Sequence, residues 1–446
     1  MKNTYTEIIH TSIPLILSSS GLAIMQFFDA MFLARHSPVS LAAAGTAGCV
    51  SWTLSSFLLG VVFYTAPLTA NYIGARMEKK VGKAIWQGIY ISVAAGVFTI
   101  ILSFFSKTFF VKCGHNPELA LKEGIYLQIL LIGGFFYFAQ SALSGFFTGR
   151  KDNTRLMIAS LAGHLTNLVG DYVMIFGKCG FPEMGVAGGA IATVASGALS
   201  FAIMLYMFLS RRNRIDYGTW KGRAFDWEMM KHIIRFGVPK GILHFMGMGM
   251  YSIFLIIVGR IGDVALAASN AVSRLNTLAF LPVTGIADGA SAFIGQSHGR
   301  RDHRATLDYT WKSAILSAIW MIAVSATFLM IPKLYLNLFF EKGTAQYNEL
   351  MKTSTVLLYF VSLYCTVDSF NESLCSALQT VGDTKWTSIV ISSLAFATTV
   401  ALILAGMLNC GLYTVWTIFT AYIMLLPAFW IWRIRKGKWK SIVVAK

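Results

Sequence analysis

Acidic residues are scarce in this chain. Only 20 Asp and Glu stand against 37 Lys and Arg, and charged residues of both signs make up 13% of the sequence, about half of what a soluble domain carries. The remainder is 56% hydrophobic and falls into apolar runs of about 20 residues or more, the length that crosses the hydrocarbon core of a bilayer. A soluble fold is excluded. Long polar segments are missing too, the longest connection being 211–227, so an extramembrane domain has no room. The net charge of +17 would suggest nucleic acid in a soluble protein, but it resides in the connections, where basic residues mark the cytoplasmic side of a membrane. Nucleic acid is not an expected partner. The six cysteines show neither CxxC nor His-paired spacing, so a zinc or redox motif is lacking. Cys113, Cys179 and Cys410 fall in loops placed outside, where spacing alone does not establish a disulfide. A cleavable leader is not expected either, because the first apolar run is too long and contains an acid. Patterns of the HExxH, GxGD or DDxxD type do not occur, and an enzyme is not expected.

What is present is twelve apolar runs. Gly, Pro and charge clusters bound helices at about 8–35, 40–73, 82–105, 119–147, 154–176 and 188–209, then at about 231–259, 264–297, 305–331, 347–378, 385–406 and 412–433. Basic residues follow the even-numbered runs: Lys79, Lys80 and Lys83 the second, Arg150, Lys151 and Arg155 the fourth, Arg211, Arg212 and Arg214 the sixth, Arg300, Arg301 and Arg304 the eighth, Arg433, Arg435 and Lys436 the twelfth. Both termini are therefore expected in the cytoplasm of a multi-pass protein.

The halves repeat. A shift of 225 places Pro14 on Pro239, Arg35 on Arg260 and Leu41-Ala42-Ala43 on Leu266-Ala267-Ala268; farther on, at about 230, Asn153-Thr154 meets Asp383-Thr384. The expected architecture is all-α and polytopic: two six-helix lobes, 1–210 and 231–446, joined by a cytoplasmic linker at 211–230 and related by a pseudo-two-fold axis along the membrane normal. Transporters of this construction bind between their lobes near the midplane.

An acid in hydrocarbon costs about 2.5–3.5 kcal/mol on insertion scales, so it persists mainly where it faces a bundle interior or a wet cavity. Asp29 in the first run is such an acid, and its partner at the 225 shift is Phe254. One copy of the fold thus does without it, which favours function over architecture. The fifth run places His164, Asn167 and Asp171 on one helix face at i, i+3 and i+7. Asn167 and Asp171 suit a small cation, or a proton shared with Asp29 should the first and fifth helices meet. The structural alternative is an interhelical hydrogen bond of about 0.6 kcal/mol. Continuing the shift of 230 puts Ala397 and Ala401 opposite Asn167 and Asp171.

A second polar set, Asp368, Asn371 and Glu372, lies in the tenth run, where Ser369, Ser373 and Gln379 allow an ordinary packing network instead. Gln26, His164, His244 and Arg274 are candidates for a cavity lining. Lys240 and His244 stand at i, i+4 as counter-charges, and Arg274 and Asp288 are either partners of one another or cavity groups. Prolines punctuate four runs at Pro14, Pro67, Pro282 and Pro427. Pro14 shares a helix with Asp29 and is the candidate hinge. Met246, Met248 and Met250, interleaved with Gly247 and Gly249, read as helix packing, since Cys or His does not complete a cage for a soft metal.

At this point the chain resembles the multidrug and toxic compound extrusion (MATE) family over nearly its whole length. The matching segments are FFDAMFLARHSPVSLAAAG from Phe27, LTNLVGDYVMIFGKCGFPEMGVAGGAIATVAS from Leu165, VGDTK from Val381 and RIRKGKW from Arg433. Pro14, Asp29, Asn167 and Asp171 look like the DinF-like branch, in which an acid of the first lobe binds the coupling cation. The resemblance implies an antiporter that expels amphipathic, often cationic compounds against an inward flow of H+ or Na+, with Thr193 as a fourth ligand should the ion be sodium. It also implies a bacterial cytoplasmic (inner) membrane location and neither a cofactor nor a resident metal; we further expect a monomer. The sequence departs from the family in two places. Asp368 falls where another branch carries an acid, while the glutamate of that branch in the seventh helix is Gly247 here; His164 is foreign to the pattern. Related two-lobed folds also flip lipid-linked saccharides, but a cavity for pyrophosphate would be lined with many more Arg and Lys.

Overall fold

The computed structural model describes residues 4–340 and 346–445, and every regular element among them is helical. The first half holds α1 (Thr4–His36), α2 (Pro38–Val62), α3 (Thr65–Gly74), α4 (Glu78–Ser103), α5 (Ser106–Lys112), α6 (Pro117–Ile132), α7 (Gly134–Gly149), α8 (Asn153–Ile175), α9 (Val186–Phe208) and α10 (Arg211–Asp216). The second holds α11 (Trp227–Ile261), α12 (Asp263–Gly299), α13 (His303–Met330), α14 (Pro332–Leu336), α15 (Tyr347–Thr380), α16 (Thr384–Met407) and α17 (Leu412–Lys436). These supply the twelve segments read from the apolar runs. Ten are long and apolar enough to cross a membrane, with α2 and α3 counted together, and α6 with α7 forms an eleventh that bends by 44°. The twelfth is α8. Its 23 residues have the length but not the apolarity, because His164, Asn167 and Asp171 lie in it.

Two segments are broken for identifiable reasons. Pro67 lacks the N–H that would bond the carbonyl of Phe63, and the chain leaves α2 and re-enters helix at Phe63–Tyr64. At Gly133, between α6 and α7, a Cβ would fall 2.3 Å from a methyl of Val194 on α9, so only glycine lets that helix pass. Pro14, Pro239, Pro282 and Pro427 instead sit inside continuous helices.

The chain forms two compact units whose borders differ from the expected 210 and 231. One unit runs from Leu17 to Gly241 and takes back the chain from Val444; the other joins the described residues up to Ile16 with Ile242–Val443. The start of α1 and the start of α11 have therefore changed places relative to the expectation. Close backbone packing is the reason. On α11, Gly241 meets Gly60 of α2, and a Cβ on Gly60 would lie 2.5 Å from the Gly241 Cα. On α12, Gly285 and Gly289 receive Ile16 and Ser12 of α1, whose side-chain atoms would lie 2.5 and 2.4 Å, and whose nearest backbone atoms 3.3 and 3.1 Å, from an added Cβ. The first turns of α1 are also tied to α13, where Tyr309 donates to Glu7 at 2.7 Å and Lys312 donates to Thr4 at 3.0 Å.

The repeat holds at the level of contacts: the shift of 225 turns Gly60 into Gly285 and Ile16 into Gly241. For α8 and α16 the buried positions match at 231 rather than 230. Asn153, Leu156, Ala159, Ser160, Asn167 and Asp171 pair with Thr384, Thr387, Val390, Ile391, Thr398 and Leu402. The residues opposite Asn167 and Asp171 are thus Thr398 and Leu402, not Ala397 and Ala401, and the second copy still lacks the acid.

Candidate functional site

Close helix approach assembles the site. A Cβ on Gly163 of α8 would come within 2.0 Å of Ser200 Oγ on α9, and one on Gly188 of α9 would come within 2.7 Å of the Met174 backbone. Gly21 of α1 meets Leu161 of α8 in the same way, at 2.7 Å. With three helices drawn together, a small apolar cluster of Leu33, Ala43, Ile175 and Val186 closes one end, and Tyr126 of α6 packs on it.

Asp29, Asn167, Asp171 and Thr193 meet beside this cluster. Only one orientation of the Asn167 amide satisfies both of its ends. Its nitrogen donates to Asp29 Oδ1 at 2.7 Å and to Asp171 Oδ2 at 3.2 Å, while its oxygen accepts from the Thr193 backbone N–H at 3.3 Å. Thr193 Oγ1 stands 3.4 Å from the amide and donates to the Gly189 carbonyl at 2.9 Å. Asn167 and Asp171 are buried and Asp29 is half-buried. The two carboxyls are in hydrogen-bonding contact with each other. Two carboxylate oxygens at that range repel unless a proton or a cation lies between them, and Asp171 Oδ1 is buried without a donor. Thr193 and Asn167 would have to turn oxygens toward the acids to complete a sodium site. In the present orientation the amide offers N–H groups, which suits acids that share a proton.

The other sequence candidates lie apart from this cluster. The His164 ring rests against Gly21 and bonds the Ser18 backbone, so it braces α8 on α1. Gln26 is exposed on α1. In the other unit, Asp368 accepts from Asn371 at 3.1 Å, and Asn371 in turn accepts from the Trp430 indole at 2.6 Å. Tyr364 and Tyr422 stand within electrostatic range of Asp368, and Glu372 is half-buried on the same helix. That set is a bonded network around one acid rather than a pair of facing acids.

Lys240 lies 6.0 Å over the Phe63 ring in the first unit, whereas His244 belongs to the second. Arg274 and Asp288, both exposed, are fourteen residues apart on the single helix α12, about 21 Å along its axis. They are not partners. Gly247 and Gly249 have open space where a side chain would stand, so the glycines between the methionines do not serve close packing. Among the described residues no disulfide joins any of the six cysteines. Among the described residues, three or more His, Cys, Asp or Glu do not gather into a set that could hold a metal.

Sequence reasoning missed Tyr126, which stands within electrostatic range of both Asp29 and Asp171. One tyrosine in the apolar run LKEGIYLQILLI carries no pattern that would single it out. The position matching Asp29 is instructive as well. Phe254 is fully buried, its ring stacked at 4.7 Å on Phe419 and set edge-on at 5.5 Å to Trp416. Where one copy keeps carboxylates, the other keeps an aromatic core.

Comparison with known proteins gives the same picture at three levels. A family described as MatE matches residues 14–173 and 241–405. A protein named probable multidrug resistance protein NorM, from Thermotoga maritima, is 26% identical over 456 aligned residues, covering 99% of this chain and 96% of its own. Among solved structures, an outward-facing multidrug resistance MATE transporter of the MOP superfamily superposes with a TM-score of 0.89 at 21% identity, covering 98% of this chain and 97% of its own. A MOP-superfamily transporter from Pyrococcus furiosus, described as having a binding pocket of reversed polarity, gives 0.88 at 21% identity with the same coverage. These likenesses establish the fold.

Proposed function

We propose, since this chain belongs to the MatE family of membrane transporters, that it exports amphipathic or cationic small molecules by antiport against an inward cation, with the ion held at Asp29, Asn167, Asp171 and Thr193. The observation that carries the reading is the Asn167 amide, which bridges two carboxyls from different helices and leaves an oxygen of Asp171 without a donor. Such a set binds one small cation and responds to its loss, because two bare carboxylates at this range repel. The names of the relatives, which speak of multidrug resistance, support the class of cargo.

Antiport follows if loading favours one orientation of the transporter and cargo binding favours the other; a ligand with equal affinity for both would drive nothing. Pro14 and Asp29 share α1, so a change of charge at Asp29 acts on a helix that already lacks one backbone bond. We place the protein in the bacterial cytoplasmic membrane with both termini inside, consistent with the basic even-numbered connections. Asp368 is assigned a structural part, since Asn371 and Trp430 already bind into its network. Reconstituted vesicles test the reading. Substrate-driven fluorescence quenching is recorded with a pH gradient alone and then with a sodium gradient alone. Asp29→Asn should abolish gradient-driven transport with the protein still inserted and folded, and full activity in that variant would end the proposal.

A further inference from the structure

The connection from α10 to α11 is held in one shape, yet it leaves large apolar side chains in the open. Its backbone is pinned to the start of α4. There the Trp86 indole donates to the Thr219 carbonyl at 2.6 Å, and the buried Gln87 amide donates to the Ala224 carbonyl at 3.0 Å and accepts from the Asp226 N–H at 3.2 Å. Gly222 approaches so closely that a Cβ would stand 2.6 Å from the Lys83 nitrogen. Small or polar residues of the connection, Asn213, Gly218, Thr219 and Gly222, are the buried ones. Ile215, Phe225 and Trp227 are instead 60, 61 and 56% exposed, and the last two rings stack on one another at 6.1 Å.

Among these apolar residues two cations meet on one ring. The Arg214 and Arg223 guanidiniums lie 5.0 and 4.5 Å over the exposed Trp220 indole. One guanidinium on an aromatic face is stable without further help, but two on the same ring repel each other. An acid does not offset them. Asp216 pairs with Arg212 at 3.5 Å, Asp226 pairs with Lys83 at 2.7 Å, and Glu228 in the first turn of α11 makes no ion pair among the described residues. Arg214 donates from Nε to the Leu209 carbonyl at 2.6 Å, which leaves its amino nitrogens for a ligand. Paired guanidinium forks suit the oxygens of a phosphate.

We propose that Arg214, Trp220 and Arg223 form a headgroup site for an anionic phospholipid, with Ile215, Phe225 and Trp227 seated at the border of its acyl chains. A soluble phosphate would account for the guanidiniums and leave the apolar residues beside them without a purpose. A phospholipid uses both. The helix that begins at Trp227 is long and apolar enough to cross a membrane, so the connection meets the water–lipid border, where tryptophan is favoured and clustered Lys and Arg draw anionic lipid. The site rests on the cytoplasmic placement of this connection and is independent of the cargo and of the coupling ion.

The test gives full-length protein in neutral detergent a photoreactive phosphatidylglycerol and maps the crosslinked peptides. Label should concentrate within 211–231. Arg214→Gln combined with Arg223→Gln should lower that label about tenfold, since two charges facing an anionic headgroup are lost. The corresponding pair of lysine variants, which keeps the charges, should retain most of it, and Phe225→Ser with Trp227→Ser should lower it although every charge remains. Unlabelled phosphatidylglycerol should displace the probe, whereas inorganic phosphate and polyglutamate should not. Displacement by phosphate would mark a free-anion site, displacement by polyglutamate an acidic protein partner, and equal labelling by photoreactive phosphatidylcholine a border without headgroup selection; each overturns the proposal. Where the glutamine pair does not fold, the serine pair and the competition series decide. Asp29→Asn should label as wild type, so a failure of the antiport reading leaves this result standing.

Discussion

Gly60 and Gly241 touch backbone to backbone: a methyl group on Gly60 would fall 2.5 Å from the Gly241 Cα and 2.9 Å from its nitrogen. At the duplicate position Gly285 receives Ile16, whose side-chain Cγ1 would lie 2.5 Å and backbone nitrogen 3.3 Å from an added methyl group. Backbone cannot swing aside as a side chain does, so Gly60→Ala forces α2 and α11 apart. We expect a loss of about 1–3 kcal/mol, the usual cost of overpacking, read as a lower melting temperature in detergent. Gly45→Ala, where nothing lies within 4 Å, is the control and should melt as wild type.

Asn167→Leu removes the donor that faces both acids while keeping the branched shape of the side chain. Gradient-driven transport should fall at least as far as in Asp29→Asn, because the pair loses the N–H groups at 2.7 and 3.2 Å that hold it. A variant that folds and transports normally would show that the amide is dispensable.

Arg433 grips Asp383 with two bonds, Nε at 2.6 Å and an amino nitrogen at 3.0 Å, and the pair is almost wholly buried. Breaking a buried pair from one side leaves a charge without its partner, so Asp383→Ala should cost about 3–5 kcal/mol. Arg433→Lys should fall between the two, since lysine cannot offer the planar fork. Thermal unfolding of the three proteins gives the order.

The linker is held by a tie that acid should release. Lys83 donates to Asp226 at 2.7 Å, and with the Met229 N–H at 2.9 Å it keeps the Asp226 carboxyl below its ordinary range. A carboxyl depressed in the folded state gives its full stabilisation above its unfolded value of about 3.9 and loses it as the pH falls through the folded one. Melting temperature should therefore drop more steeply on acidification below about pH 4 in wild type than in Lys83→Met, in which the tie is already absent. Parallel curves would show that Asp226 does not contribute.

Orientation can be read from thiols. Cys113 and Cys179 are exposed and unpaired, and the basic even-numbered connections predict that both lie outside. A membrane-impermeant maleimide should label both on intact cells and lose each label in the matching Cys→Ser variant. Labelling only after lysis would reverse the topology.

Much of this arrangement was legible from residue order. Apolar runs located the spans, and the Pro14–Pro239 and Arg35–Arg260 matches exposed the duplication that the glycine contacts bear out. Asp29, Asn167 and Asp171 stood out because acids and amides are costly in hydrocarbon, and the structure brings them together. Legibility ended where identity does not set position. Nothing in Ser12 or Ile16 announces that they pack on Gly285 and Gly289, since close approach depends on which helix crosses. Tyr126 was equally silent: an aromatic in an apolar run looks like core. The register of α8 against α16 slipped by one because a single dipeptide match fixed it, where burial fixes it over six positions.

The polarity of α8 has a consequence for biogenesis. Among the described residues this is the one spanning helix too polar to pass as a membrane segment by composition, and it is also the helix that carries Asn167 and Asp171. A translocon weighing each nascent segment by its partition into lipid would hold α8 poorly by itself. Its glycines give it α9 as a companion, the next helix to emerge from the ribosome. Insertion as a hairpin lets Asn167 and Asp171 enter the bilayer already shielded, so the placing of polar groups in the finished bundle reaches back to the moment of its synthesis.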